Sequence, residues 1–239
     1  MEMHFKIFRF DPETDREPYY RDYVVAAEPQ ERILDCLNRI KWEQDGTLGY
    51  RMSCAHGVCG SDGMRINGVC GLACQRLVKD FQGSEILLEP LPHFRILKDL
   101  VVDMEEFLER VKAMQPYLLA STPPPERERL QGPEERRKVE DVIRCILCGS
   151  CTGACPAMDE NPEYVGPAAL VWAYRYLFDS RDGQYTERLR ALDDHNAVWS
   201  CKNYFECTRV CPKGIPVTRS INLMKREINK VFGEKGPAS

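Results

Sequence analysis

The sequence predicts an α+β protein, in which a strand-rich region containing one helix precedes a region built from helices. Short apolar runs ended by turn residues recur through about the first 100 residues, as expected for a small sheet. After Asp103 the apolar positions recur at helical spacing instead. We therefore expect two domains, at 1–105 and 106–239, with a stiff, solvated connector inside the second at about 121–138, where Pro, Glu and Arg dominate.

The predicted elements of the first domain are short strands and one amphipathic helix. Helical spacing of apolar residues begins at Arg32 and ends at the turn signal Asp45-Gly46. The dipeptide Asn67-Gly68 favours a tight hairpin turn. Strand patterns cover residues 5–10, 20–27, 64–66 and 85–89.

The second domain shows helical periodicity in three places. Pro167 suits the first position of a helix, where a missing N–H is tolerated. The predicted helices cover residues 104–114, 167–178 and 217–231.

Composition narrows the classes of function. The 239 residues carry a formal net charge of −4, from 33 Lys and Arg against 37 Asp and Glu, so nucleic acid is not an expected partner. The longest apolar stretch, 167–178, is too short to cross a bilayer, and we expect no transmembrane segment in this chain. The start Met-Glu-Met-His lacks the pattern of an export signal. In a reducing compartment the 12 cysteines are expected to be metal ligands rather than disulfides.

The first cysteine cluster has the spacing of a plant-type [2Fe-2S] loop. Four residues separate Cys54 from Cys59, Asp62 stands where the third thiolate would be, and Cys74 follows at a distance. A carboxylate can bind ferric iron, so we expect Asp62 to be the remaining ligand; because softness favours sulfur, Cys70 is the alternative. The alternative role of Cys70 is that of a small packed hydrophobe.

Two further residues near this cluster are expected to have no ligand role. The pair Cys54 and His56 is half of a Rieske motif, but no second half follows, so we expect His56 to be exposed on the loop. Cys36 lies beside the apolar stripe of the predicted helix and is expected to be a buried, inert thiol.

The second cysteine pattern is a complete ligand run for paired clusters. Residues 145–156 read Cys-Ile-Leu-Cys-Gly-Ser-Cys-Thr-Gly-Ala-Cys-Pro, in which the fourth cysteine ligates the other cluster of a pair. Residues 201–212 follow the same template, with Tyr204 where the middle cysteine belongs. One of the two clusters is therefore expected to lack a ligand.

The exchange of the fourth cysteine assigns the two ligand sets. Three thiolates support a [3Fe-4S] cluster, because the corner without a ligand loses its iron. The predicted [4Fe-4S] ligands are Cys145, Cys148, Cys151 and Cys211. The predicted [3Fe-4S] ligands are Cys155, Cys201 and Cys207.

Zinc is the main alternative occupant of these cysteines, and it would make the chain a structural scaffold for protein contacts. Structural zinc uses closed sets of four ligands and does not need the exchanged cysteine or the Cys-Pro endings. The sequence has no Gly-rich phosphate loop and no His-Glu-x-x-His or Gly-x-Ser-x-Gly motif. We therefore predict an electron conductor with no catalytic residues of its own.

These motifs resemble the iron–sulfur subunit of succinate dehydrogenase and fumarate reductase along nearly the whole chain. Besides the cysteines, the shared segments are 51–54, 59–63, 99–103, 161–162, 165–169, 179–182 and 211–213. The resemblance implies a β-grasp [2Fe-2S] ferredoxin-like domain followed by an all-α helical ferredoxin domain.

The resemblance also implies cofactors and partners. Electrons would pass from a flavoprotein subunit with bound FAD, which oxidises succinate to fumarate, through the three clusters to membrane quinone. FAD, quinone and haem b would lie in or between partner subunits. The chain would sit on the cytoplasmic face of a prokaryotic inner membrane, held by membrane-anchor subunits. There are two alternatives. The subunit could act in the reverse direction, in fumarate reduction, or it could accept electrons from another flavoprotein that oxidises glycerol phosphate or glycolate.

At the implied quinone site the sequence departs from well-known members of the family. Pro156 is kept, but Asp159-Glu160 replace the tryptophan expected before Asn161-Pro162. Lys202 stands where many succinate dehydrogenases have histidine. Pro156, Lys202 and Tyr204 are the expected quinone residues, whereas the acids and Lys202 can equally be solvated surface charges.

Overall fold

The computed structural model describes residues 1–81, 83 and 85–233. The chain divides into two compact units. Unit 1 comprises Met1–Glu105, Ile146–Ala154 and Val210–Pro212. Unit 2 comprises Glu106–Cys145, Cys155–Arg209 and the chain from Lys213.

Unit 1 contains a five-stranded mixed sheet. Its strands are β1 Glu2–Arg9, β2 Tyr19–Ala26, β3 Gly63–Ile66, β4 Val69–Leu72 and β5 Ile86–Glu89. They lie in the order β2-β1-β5-β3-β4, in which β1 and β5 are parallel and the other pairs are antiparallel. Two short strands, β6 Ile96–Lys98 and β7 Val101–Val102, form a separate antiparallel pair. The predicted mixed sheet is therefore confirmed.

The core of unit 1 lies between this sheet and helix α1, Ile33–Arg39. Alternation along β1 buries Met3, Phe5 and Ile7 on one face of the sheet. Helix α1 buries Leu34 and Leu37 in the same core, and a π-helical turn, Ile40–Gln44, continues it to the predicted stop. Cys36 is fully buried in this core, as predicted, and burial raises the pKa of its thiol to about 12.

The hairpin between β3 and β4 forms as the sequence predicts. Asn67 and Gly68 both have positive φ, 46° and 79°, which the two-residue turns of hairpins require. Ile66 consequently pairs with Val69.

A buried ionic network anchors the chain that leads into the first cysteine cluster. Arg9 donates to Asp99 Oδ1 at 3.0 Å and to Asp45 Oδ2 at 2.5 Å. The second oxygen of Asp99 accepts the backbone N–H of Gly49 at 2.7 Å. All three charged side chains are at most 5% exposed, so removing Arg9 would leave the Asp99 carboxylate buried without its cationic partner.

Helices follow in the rest of the chain. Those after α1 are α2 Glu105–Ala113, α3 Pro133–Val139, α4 Ser150–Gly153, α5 Ala157–Glu160, α6 Pro167–Leu177, α7 Tyr185–Leu192, α8 Glu206–Arg209 and α9 Val217–Phe232. The three predicted helices are confirmed as α2, α6 and α9. In unit 2, α6 packs against α7 and α9, and α9 buries Ile221, Met224 and Ile228 along one stripe.

The predicted connector at 121–138 is only partly irregular. Residues 121–132 have no regular structure, but α3 begins at Pro133 and reaches Val139. The start of α3 is stabilised by Pro133 at the first position and by the acidic residues Glu134 and Glu135 in the first turn. The helix was not predicted, because the composition of the segment is also that of a connector. Helix α7 was also missed.

Arg188 on α7 fixes the chain that follows α2. Its guanidinium donates to Asp182 Oδ1 at 3.0 Å and Oδ2 at 2.8 Å. It also donates to the carbonyl oxygens of Met114, Gln115 and Tyr117, at 3.3, 2.9 and 2.8 Å. The Arg188 and Asp182 side chains are 5% and 2% exposed, so this pair is screened from water.

We expect Arg188→Met to destabilise unit 2 by about 3–5 kcal/mol, because Asp182 would remain as a buried charge without its partner. Arg190→Met is the matched control, since Arg190 is exposed on the same helix. Chemical unfolding of the two variants, followed by circular dichroism, measures the difference. Equal stability of the two variants would contradict this role for Arg188.

Candidate metal-cluster sites

The loop after Cys54 surrounds one sulfur atom with backbone amides. The N–H groups of His56, Val58 and Cys59 donate to Cys54 Sγ at 3.3, 3.4 and 3.3 Å. The N–H of Cys54 lies 3.5 Å from Cys59 Sγ. These donors, with that of His56 contributing most, lower the pKa of Cys54 to about 6. The loop is therefore built to hold sulfur in its thiolate form, as metal ligation requires. The side chain of His56 is exposed, as predicted.

Backbone conformation makes this wrapping possible. Ala55, Gly57 and Gly60 have φ of 55°, 68° and 73°, in the left-handed region that favours glycine. Successive residues of this kind turn N–H groups inward and form a concavity suited to an anion.

Asp62 provides a free oxygen in a buried position. The residue is 2% exposed, and its Oδ2 accepts the backbone N–H of Cys74 at 2.6 Å. Its Oδ1 is buried and has no hydrogen-bond partner among the described residues. Buried oxygens are normally satisfied, so this atom fits a ligand of a group outside the polypeptide. Burial, and then Asp62, raise the pKa of Cys74 to about 12, and an iron ion would be needed to hold it as a thiolate.

Cys70 has a different environment. It lies on β4, is 4% exposed, and packs in a small apolar cluster with Leu91 and Val102. Burial raises the pKa of its thiol to about 11. These surroundings are those of the packed hydrophobe that the sequence left open.

The second thiol group of unit 1 lies in segments 146–154 and 210–212 and contains Cys148, Cys151 and Cys211. Burial, and to a lesser extent the nearby Cys211 thiol, raise the pKa of Cys148. Leu147 and Gly149 have φ of 53° and 79°, so the chain turns on both sides of Cys148.

The fourth predicted ligand, Cys145, belongs to unit 2. It follows the 3₁₀-helical turn Val142–Arg144, and its N–H donates to Val142 O at 3.1 Å.

Unit 2 brings the remaining three predicted thiols to one pocket. Cys155, Cys201 and Cys207 all line one pocket. Burial raises the pKa of Cys155 to about 12, so a metal would again be needed to hold the thiolate. The same cavity is lined by the expected quinone residues Pro156, Lys202 and Tyr204.

Tyr204 occupies the position of the missing cysteine in this pocket. Asn203 and Phe205 on either side have φ of 61° and 65°, so the backbone turns sharply around it. The Tyr204 hydroxyl donates to Glu160 Oε1. No sequence argument linked these two side chains.

Helix α9 contributes two polar contacts to the thiol segments that the sequence did not indicate: Thr218 lines the pocket, and Lys225 contacts the backbone of Cys201. Thr218 Oγ1 lies 3.4 Å from Cys207 Sγ, and Lys225 Nζ donates to Cys201 O at 2.7 Å. Burial lowers the pKa of Lys225. The available signal was their spacing of seven residues, which places both polar groups on the same face of a helix.

A sheet-borne cysteine loop followed by two paired cysteine runs defines a two-part ferredoxin-type iron–sulfur protein. The family model for a 2Fe-2S iron-sulfur cluster binding domain matches residues 4–109, and the model for a 4Fe-4S dicluster domain matches residues 141–215. The chain belongs to the family of iron–sulfur subunits of succinate dehydrogenase and fumarate reductase. It is an electron-transfer subunit, and the zinc-scaffold hypothesis receives no support.

Relatives match over nearly the whole chain. The succinate dehydrogenase iron-sulfur subunit of Coxiella burnetii is 43% identical over 229 residues, covering 95% of this chain and 97% of the relative. The fumarate reductase iron-sulfur subunit of Haemophilus influenzae is 38% identical over 242 residues, covering 96% and 94%. The fold matches a chain of the Mycobacterium smegmatis Sdh1 complex in the apo form, with a TM-score of 0.86, 23% identity and 98% coverage of both chains.

Two features are absent from the described residues. Within 1–81, 83 and 85–233, no helix has the length and apolar character needed to cross a membrane. In the same residues, no three His, Cys, Asp or Glu side chains are grouped so as to hold a single metal ion.

We expect Asp62→Ala to remove most of the [2Fe-2S] signal, because the buried oxygen that faces no protein donor would be lost. Cys70→Ala should leave that signal intact, since Cys70 packs against apolar side chains. Asp62→Cys should keep the cluster by supplying a thiolate. Spin resonance of the reduced protein measures all three, with the other clusters as an internal control. Loss of the signal in Cys70→Ala alone would transfer the ligand role to Cys70.

Proposed function

We propose that this chain is the iron–sulfur subunit of a succinate:quinone oxidoreductase. It would relay electrons from an FAD-containing flavoprotein subunit, where succinate becomes fumarate, to membrane quinone. The observation that carries the proposal is the pocket of unit 2, where three thiols line a cavity together with Tyr204, which stands in the place of a fourth cysteine. Relatives named as succinate dehydrogenase subunits support the same substrate.

We propose the following ligand sets, which the spacing and the thiol environments support. The [2Fe-2S] ligands are Cys54, Cys59, Asp62 and Cys74. The [4Fe-4S] ligands are Cys145, Cys148, Cys151 and Cys211. The [3Fe-4S] ligands are Cys155, Cys201 and Cys207. When bound, such clusters accept and release electrons singly.

The residues around the ligand sets influence the reduction potential of the cluster that each set would hold. The amides that donate to Cys54 Sγ stabilise negative charge there and so favour the reduced state. Around Cys207, the hydroxyl of Thr218 plays a similar part from a buried position. Burial of Cys74, Cys155 and Cys207 keeps water away from these residues and adds a second control of reduction potential.

Quinone chemistry requires protons as well as electrons, and unit 2 offers groups that hold them. The Tyr204 hydroxyl, donating to Glu160, and the ammonium group of Lys202 are near the thiols that line the pocket. We propose that these groups, with Pro156 shaping the wall, contact the quinone and supply its protons.

The remaining features are proposed at the level of the complex. Residues 1–105 would form the β-grasp ferredoxin domain and 106–239 the α-helical ferredoxin domain. A flavoprotein subunit and membrane-anchor subunits with quinone and haem b would be the partners. The chain would lie on the cytoplasmic face of a prokaryotic inner membrane. The Haemophilus influenzae relative favours fumarate reduction as the second candidate function.

The purified complex tests the function directly. We expect about nine iron atoms per chain, with at least as many sulfides, and reduction of the clusters by succinate as well as by dithionite. Iron and sulfide analysis and spin resonance during stepwise reduction provide the measurements. Clusters that dithionite reduces but succinate does not would indicate another flavoprotein partner. Faster fumarate reduction than succinate oxidation would favour the second candidate.

We expect Tyr204→Cys to convert the [3Fe-4S] signal of the oxidised protein toward a [4Fe-4S] cluster, because the new thiol completes the ligand template. Tyr204→Phe is the matched control, since it keeps the ring and supplies no ligand. Spin resonance of the oxidised proteins distinguishes the two variants. The same signal in both would contradict the proposed reason for the missing iron.

A further inference from the structure

Two glycines in the first cysteine loop make unusually close backbone contacts. A Cβ atom placed on Gly60 would lie 2.8 Å from Cys148 Cβ and 3.0 Å from Ile146 O. A Cβ atom placed on Gly63 would lie 2.7 Å from Cys148 O. Real Cβ atoms essentially never come within 3.0 Å of other heavy atoms, so a side chain at either position would require the chains to move apart.

Within unit 1, these glycines lie between proposed [2Fe-2S] ligands and one proposed [4Fe-4S] ligand, Cys148. Gly60 directly follows Cys59, and Gly63 directly follows Asp62, so both adjoin proposed [2Fe-2S] ligands. Cys148, which they contact, is a proposed [4Fe-4S] ligand. Gly60 is itself buried, so its contact with Cys148 is shielded from solvent.

The Cys148 segment also contacts the apolar cluster through two glycines of its own. A Cβ atom on Gly149 would lie 3.1 Å from Leu91 Cδ1, and one on Gly153 would lie 3.4 Å from Cys70 Sγ. These contacts hold the segment against the apolar cluster of Cys70 and Leu91. The segment is therefore packed through several close contacts, which limit its freedom to move.

We propose that Gly60 and Gly63 are positioning residues for electron transfer, because they hold the Cys59–Asp62 peptide in van der Waals contact with Cys148. One electron crosses this contact: the [2Fe-2S] cluster is oxidised, the [4Fe-4S] cluster is reduced, and no bond or proton is exchanged. The inference rests on the ligand sets of the proposed function. Tunnelling falls steeply with distance, so a side chain here would slow this step.

The chain offers a matched control for each glycine. Gly63 has no positive φ, so Gly63→Ala adds the steric contact alone, and Gly71→Ala is its control because nothing lies within 4 Å of a Cβ there. Gly60 has φ of +73°, so Gly60→Ala also strains the backbone. Gly68→Ala imposes the same kind of strain at φ of +79°, again with nothing within 4 Å.

The experiment compares these four variants in the intact complex. Iron and sulfide content establishes that both clusters are present. Freeze-quench spin resonance then measures the rate at which an electron moves between them, and spin relaxation measures their magnetic interaction. We expect Gly60→Ala and Gly63→Ala to slow the transfer several-fold and weaken the interaction, while Gly68→Ala and Gly71→Ala match the wild type.

The possible results of this experiment separate the proposal on Gly60 and Gly63 from the proposed function. Wild-type rates and interaction in Gly60→Ala and Gly63→Ala, with both clusters present, would overturn the proposal. If these variants lose a cluster, the wild-type complex decides instead: mutual relaxation of the two reduced clusters supports the contact, and independent relaxation overturns it. A wild-type complex without clusters, or one that succinate cannot reduce, would be a failure of the proposed function.

Discussion

The cysteine loop of unit 1 depends on one constraint: a sulfur-rich, negatively charged group has to be enclosed by backbone rather than by side chains. Three backbone N–H groups converge on Cys54 Sγ. Charged side chains could also stabilise this sulfur, but they would add volume and a full opposite charge. Such convergence needs positive φ, and Gly57 and Gly60 supply it. The absence of side chains at Gly60 then has a second effect, since it lets this loop approach Cys148. The amide contacts to Cys54 and the approach of the loop to Cys148 therefore depend on the same local backbone.

In unit 2, helices rather than a glycine-rich loop position the thiols. Cys155 and Cys201 lie in irregular chain, and Cys207 lies in the short helix α8. Helix α9 provides the rigid support, because its apolar stripe packs against α6 while Thr218 and Lys225 reach the thiol segments. Buried polar groups of this kind contribute specificity only where they are paired, and both of these are.

Much of the fold was predictable because its signals are local. The Asn67-Gly68 turn, the alternation of β1 and the stripe of α9 each arise from neighbouring residues, and all three elements formed as expected. Helix α3 was missed because Pro and charge, which indicate a connector by composition, also stabilise the first turn of a helix. Local composition could not distinguish the two, since the deciding factor is how the segment packs.

By itself, the sequence determined that this is an iron–sulfur electron carrier with two kinds of cysteine pattern, because ligand identity and spacing are properties of short segments. Tertiary structure decided what surrounds those ligands. It gave Asp62 a buried oxygen without a partner among the described residues and placed Cys70 in an apolar cluster, whereas the sequence offered both residues as candidates for the same ligand position. It also brought Gly60 to Cys148 across more than eighty residues, which no local pattern specifies, because such contacts arise only when separate elements pack.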